Sequence, residues 1–80
     1  METNPDVGGD RVRLGCWVQV RDGQSEEGWR IVPAEEADAM RRRISEQTPL
    51  ARALLGHQVG DQVRVDGPGG RRLVSILSVG

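Results

Sequence analysis

His57 is the only histidine in this sequence and Cys16 the only cysteine, so few side chains are available for metal or nucleophilic chemistry. A zinc-type site needs three or four nitrogen, sulfur or carboxylate ligands at close spacing. No cysteine or carboxylate stands at such spacing from His57, which reads as a surface residue at a helix end. An activated nucleophile needs a base beside it and a third group to orient that base. Spacing nominates no serine or cysteine as the partner of His57. Cys16 has no second cysteine to pair with and reads as a small buried hydrophobe. Glu35 and Glu36 are adjacent, so on a helix they point about 100° apart and cannot flank a bond as a carboxylate dyad does.

Two further stretches invite a phosphate. Arg41, Arg42 and Arg43 are three bases in a row, but eleven arginines oppose twelve carboxylates over 80 residues, for a formal charge of −1. That balance has no electrostatic footprint for DNA, RNA or an anionic membrane, and the triplet reads as solvated or ion-paired. Gly67–Gly70 is glycine-rich, yet it joins two strand patterns and lacks the Gly-Lys-Ser/Thr ending of a phosphate loop. No cofactor is implied. The expectation is a non-enzymatic interaction module.

The elements that would position such a module centre on residues 44–61. Thr48 is a good N-cap, Pro49 occupies the first helical position where its missing N–H does no harm, and Gly56 supplies a left-handed stop. Leu50, Ala51, Ala53, Leu54 and Leu55 make the two turns between them apolar over most of their circumference. A helix this short has no stability of its own in water and must lie against a sheet. The strands are legible in alternation: Val12, Leu14, Cys16, Val18 and Val20 on one face of the first, with Trp17 on the other; Gly28–Val32 as the second, with Trp29 and Ile31 inward. Gln62–Asp66 is the third, with Val63 and Val65 inward, and Arg72–Val79 the fourth, with Val74 and Ile76 inward. Leu77 and Val79 break the alternation, which predicts a bulge. Residues 34–43 carry acids first and bases last, as a helix dipole favours, but only Ala37 and Met40 are available for burial, so either a short helix or an irregular loop fits.

The class expected is therefore α+β, with four antiparallel strands curled around one short helix. At 80 residues this is one domain with a small core, 36% apolar, whose only aromatics are Trp17 and Trp29. Residues 1–13 read as a flexible tail and residues 14–80 as the domain. No apolar run reaches the length of a membrane span, and the amino end lacks the pattern of a signal peptide, so the default is a cytoplasmic monomer.

Ile44-Ser45, Thr48-Pro49-Leu50-Ala51-Arg52-Ala53-Leu54-Leu55-Gly56, Val59-Gly60-Asp61 and Pro68-Gly69-Gly70, preceded by Trp29-Arg30-Ile31-Val32 and Glu36-Ala37-Asp38, together form a specific pattern. In order and spacing it resembles the carboxyl-terminal domain of the bacterial GreA/GreB transcript cleavage factors, over about residues 14–79. The resemblance implies an FKBP-like fold, a curled antiparallel sheet around a short helix. It also implies docking on a coiled coil of the RNA polymerase β′ subunit, at the rim of the secondary channel, through the loop before the helix. That loop is Gln47, Thr48 and Pro49, with Leu50 beside it. Family members usually carry an acidic or amide residue, then Ser and Pro; Gln47 keeps hydrogen bonding without charge, and Thr48 adds a methyl. A rim affinity weaker by about 1 kcal/mol follows, roughly one charge-assisted bond.

In that family, transcript cleavage belongs to an amino-terminal helical hairpin with an acidic tip. Fourteen residues precede Gly15, about 21 Å if wholly helical, and Pro5, Gly8 and Gly9 oppose a helix. The expectation is a stand-alone polymerase-binding module that modulates elongation without cleavage activity. The alternative is an adaptor or regulator of another enzyme that reuses the fold. Prolyl isomerase activity is disfavoured, because two tryptophans with no tyrosine or phenylalanine cannot line the usual aromatic pocket.

Overall fold

The computed structural model describes residues 11–67 and 69–80. Five strands form one sheet in the order β3-β2-β1-β5-β4, where β1 is Trp17–Asp22, β2 Ser25–Val32, β3 Arg43–Ser45, β4 Gln62–Gly67 and β5 Gly70–Val79. Among the described residues the one α-helix, α1, is Pro49–Leu54, and it packs against β4. Its ends are as the sequence marks them. Thr48 Oγ1 accepts the Ala51 N–H at 3.2 Å, Pro49 stands in the first turn, and Gly56 is left-handed at φ 86°. Ala51 and Leu54 are buried and Arg52 is exposed, so one face of two turns supplies the contact.

The core joins that face to the inner faces of the strands: Val18 and Val20 from β1, Ile31 from β2, Val63 and Val65 from β4, Val74 and Ile76 from β5. Hairpin β1–β2 pairs Asp22 with Ser25 across Gly23 and Gln24. Hairpin β4–β5 pairs Gly67 with Gly70. Along β1–β5, Gln19 faces Ser78 but Val20 faces Ile76, leaving Leu77 as the extra residue of a bulge at the predicted place.

Three expectations need correction. The sheet has five strands and is mixed, because Arg43–Ser45 pairs parallel to Arg30–Val32; three half-buried residues carry no alternation that would reveal a strand. The stretch before it is two single 3₁₀ turns, Ala34–Glu36 and Ala39–Arg41, rather than one helix or a plain loop. The first strand begins at Trp17, not Val12. Gly15 at φ 91° and a bond from Cys16 N to Arg13 O turn the chain there, so Leu14 is 49% exposed instead of inward.

Val12 is nevertheless buried in the core, and its backbone exchanges bonds with His57 O and Gly56 N. The packed domain thus begins before residue 14; the rest of the expected tail, residues 1–10, lies outside the described residues. Among the described residues no helix is long and apolar enough to cross a membrane.

Candidate docking site

Residues 47–50 leave the end of β3 and enter α1, and Ser45 organises them. Its Oγ accepts the Gln47 N–H at 3.0 Å, while its carbonyl accepts both the Thr48 N–H at 3.1 Å and the Thr48 hydroxyl at 2.9 Å. Thr48 Oγ1 thus donates to Ser45 and accepts from Ala51, with both of its hydrogen-bonding directions used inside the fold. The loop is consequently held in one shape, with Gln47 and Pro49 exposed and Thr48 and Leu50 half-buried. Gln47 and Pro49 have the accessibility that docking requires. Thr48 acts first as a cap.

Beside the loop lies an open groove of about 360 Å³, with Thr48, Pro49 and Leu50 on one wall, Ile44 and Val65 at its floor, and Asp66, Gly67 and residues 69–72 of the β4–β5 hairpin on the other wall. Thr48, Pro49 and Leu50 come together there; Gln47 stands outside. The hairpin was legible as a turn, but its part in the groove was not, since nothing in the linear sequence ties Gly69 and Gly70 to Pro49. Arg72 is held by Asp22 at 3.1 Å, and Arg71 reaches Asp66 at 3.4 Å with both side chains largely exposed. Such exposed pairs contribute little and yield readily to a partner. An apolar floor, glycine backbone and movable charges suit an apolar side chain with polar flanks.

The chemistry-bearing residues lie apart from this groove. His57 Nδ1 is 3.2 Å from Asp61 Oδ2, which also accepts the Gln58 N–H at 3.0 Å, so the pair closes the turn after α1. Sequence spacing did not nominate Asp61; four residues apart in a turn suffices to bring it alongside. Among the described residues no group of three or more potential metal ligands occurs. The backbone bond from Gln58 is the largest cause holding the Asp61 carboxyl below its ordinary value of 3.8; desolvation comes next and opposes it, and the His57 contacts and the Arg11 charge add to the lowering. A carboxyl lowered by folding stabilises the fold above its unfolded value, and that contribution disappears as pH falls through the lower folded one. Asp61→Asn should therefore be less stable than wild type at neutral pH, with the gap closing below about pH 3.8. Urea denaturation at both pH values, with carboxyl NMR titration of Asp61, checks this.

Arg41 approaches Asp38 at 3.6 Å, Arg42 stacks on Trp29, and Arg43 lies in β3, so the arginine triplet is divided among three environments. Glu35 and Glu36 are exposed on the first 3₁₀ turn.

The site thus joins a mixed sheet, a capped two-turn helix, a pre-shaped exposed loop and an apolar groove beside it. The model of the C-terminal domain of transcription elongation factors GreA/GreB matches residues 6–80. The chain belongs to this family. Transcription elongation factor GreA of Rhizobium etli is 41% identical over 75 residues, covering 91% of this chain and 48% of the relative; GreA of Thermotoga neapolitana is 42% identical over 73, covering 89% and 47%. The chain thus spans about half the length of the curated relatives it matches. Among solved structures, Gfh1 of Thermus aquaticus superposes with a TM-score of 0.80 at 28% identity, covering 92% of this chain and 50% of that one. The GreA homolog Gfh1 of Thermus thermophilus gives 0.77 at 28%, covering 96% and 53%. The α+β architecture of this family and the bacterial relatives agree with what the sequence motifs implied.

Proposed function

We propose that this chain is a module that docks on bacterial RNA polymerase, at the β′ coiled coil on the rim of the secondary channel, and modulates elongation by occupying that site. The observation that carries this reading is the loop of Gln47, Thr48 and Pro49. It is exposed at its two outer residues, locked by Ser45, and set beside an apolar groove, on a domain of a transcription elongation factor family. Leu50 and the groove floor take an apolar side chain of the coiled coil, while Gln47 offers hydrogen bonds at the rim. Occupancy needs no reaction. We assign the 80-residue chain by itself no transcript cleavage and no other catalysis. Its effect follows mass action, rising with concentration relative to its dissociation constant. The same partner places it in the cytoplasm.

Co-purification with RNA polymerase tests the reading. Wild type should be retained, and Pro49→Ala, which removes an exposed ring, should bind about 5-fold more weakly, a loss of about 1 kcal/mol. Gln47→Asp should bind about 5-fold more tightly, since it restores a charge-assisted bond. Thr48→Asp keeps a capping oxygen but loses the hydroxyl donated to Ser45, so it too should weaken retention. Equal retention of wild type and all three variants would remove the docking claim. The departure at Thr48 and the missing charge at Gln47 are what favour the second reading, an adaptor of another enzyme, and absence of any polymerase binding by wild type would select it.

A further inference from the structure

Arg42 is the only non-glycine residue with positive φ among the described residues, at 59°. That region is costly for any side chain and open to glycine. The Arg42 N–H donates to the Ala39 carbonyl at 3.1 Å, closing the second 3₁₀ turn, and its side chain adds a second hold on the arginine there. The guanidinium carbon lies 4.0 Å from the centre of the Trp29 ring, Nε donates to the Gly28 carbonyl at 3.1 Å, and a terminal nitrogen is 3.9 Å from Glu27 Oε1. The Trp29 indole N–H donates to the same Glu27 oxygen at 3.1 Å, which fixes the ring on which the arginine stacks.

The backbone of Arg42 is where the parallel pairing begins. Its carbonyl accepts the Arg30 N–H at 2.8 Å, one residue ahead of the Arg30–Arg43, Ile31–Ile44 and Val32–Ser45 register. The strand so placed is three residues long, and Ser45, at its end, supplies the oxygens that shape Gln47 and Thr48. So short a strand has little pairing of its own to resist slipping, and its start determines where its end presents the loop.

We propose that Arg42 is a positioning residue for the docking loop: clamped on β2 by Trp29, Gly28 and Glu27, it sets the start of β3 and through Ser45 the placement of Gln47 and Thr48. The proposal rests on the docking reading only for its consequence at polymerase. Its structural part is independent of any partner.

Arg42→Gly separates the clamp from the backbone requirement, because glycine adopts the left-handed conformation freely and the variant folds. Hydrogen exchange by NMR on the free chain should show the Gln47 and Thr48 amides exchanging about 3- to 10-fold faster, while the Ile76 amide, bonded to Asp61 O in the core, keeps its wild-type rate. Arg42→Lys keeps a cation without the planar face or the Nε donor and should fall between the two. Polymerase affinity of Arg42→Gly should drop by a similar factor. Loop amides unchanged in Arg42→Gly, or a rise shared equally by Ile76, would overturn the proposal. So would faster loop exchange with unaltered affinity, given a wild type that binds. A wild type that fails to bind polymerase ends the docking reading instead, and the exchange rates alone then decide whether Arg42 places the loop.

Discussion

Leu54→Ala should remove about half or more of the stability of this protein. The side chain is fully buried at the centre of the core, where truncating leucine to alanine costs about 2–5 kcal/mol through lost transfer energy and the cavity left behind. A domain of this size has a total stability on the order of 5 kcal/mol. The loss is not confined to the helix. Six helical residues have no independent stability, so once α1 loosens its grip on β4, the Thr48 cap and the groove wall formed by Pro49 and Leu50 loosen with it. Urea denaturation should show a large fall in midpoint with little change of slope. Leu73→Ala is the control: that leucine is 54% exposed on β5, and its removal should cost within about 0.5 kcal/mol. Equal midpoints for the two variants would mean that α1 is not anchored through Leu54.

The second large effect is expected at Gly28, in the middle of β2. Its backbone conformation is ordinary; the constraint is space. A Cβ there would overlap Trp17 Cζ2 and sit 2.7 Å from Gln19 Oε1, because both side chains from β1 lie across the glycine. Gly28→Ala must therefore displace the Trp17 ring from the outer face of the sheet. The expected cost is about 1–3 kcal/mol, as for other insertions into well-packed sites. Trp17 should become more accessible to iodide, read in a Trp29→Phe background. Gly67→Ala, with no atom within 4 Å of the added carbon, should be near neutral in stability. Unchanged quenching and stability in Gly28→Ala would show that the ring does not rest on the glycine.

The contrast between these two positions follows what was legible beforehand. Leu54 was readable as a core residue because its neighbours announce a helix: Thr48 and Pro49 open it and Gly56 closes it, all within nine residues. Gly28 was readable only as the start of a strand. That it must be glycine depends on Trp17, which reaches it across the β1–β2 pairing. Arg42 shows the same limit. In the sequence it is the middle of three bases, whereas in the fold it stacks on Trp29, thirteen residues earlier, and its left-handed backbone begins a strand that no alternation marked.

For the proposed docking loop, the residues were nominated by the sequence and their surroundings were not. Gln47, Thr48, Pro49 and Leu50 follow from helix capping together with the motif order. The Ser45 oxygens that shape them, and the hairpin residues Asp66, Gly67 and 69–72 that make a groove with Thr48, Pro49 and Leu50, required the chain to be folded.

By itself the sequence determined much of what neighbours within a few positions set: the capped helix, the inward faces of β4 and β5, the bulge at Leu77 and the motif order of the family. Capping and alternation are local, so they survive in the linear chain. Tertiary structure alone decided the parallel partner of β3, the seat of Trp17 on Gly28 and the meeting of helix and hairpin around the groove. Each of these is a contact between segments far apart in sequence, fixed by pairing register and packed volume, for which the chain carries no local mark.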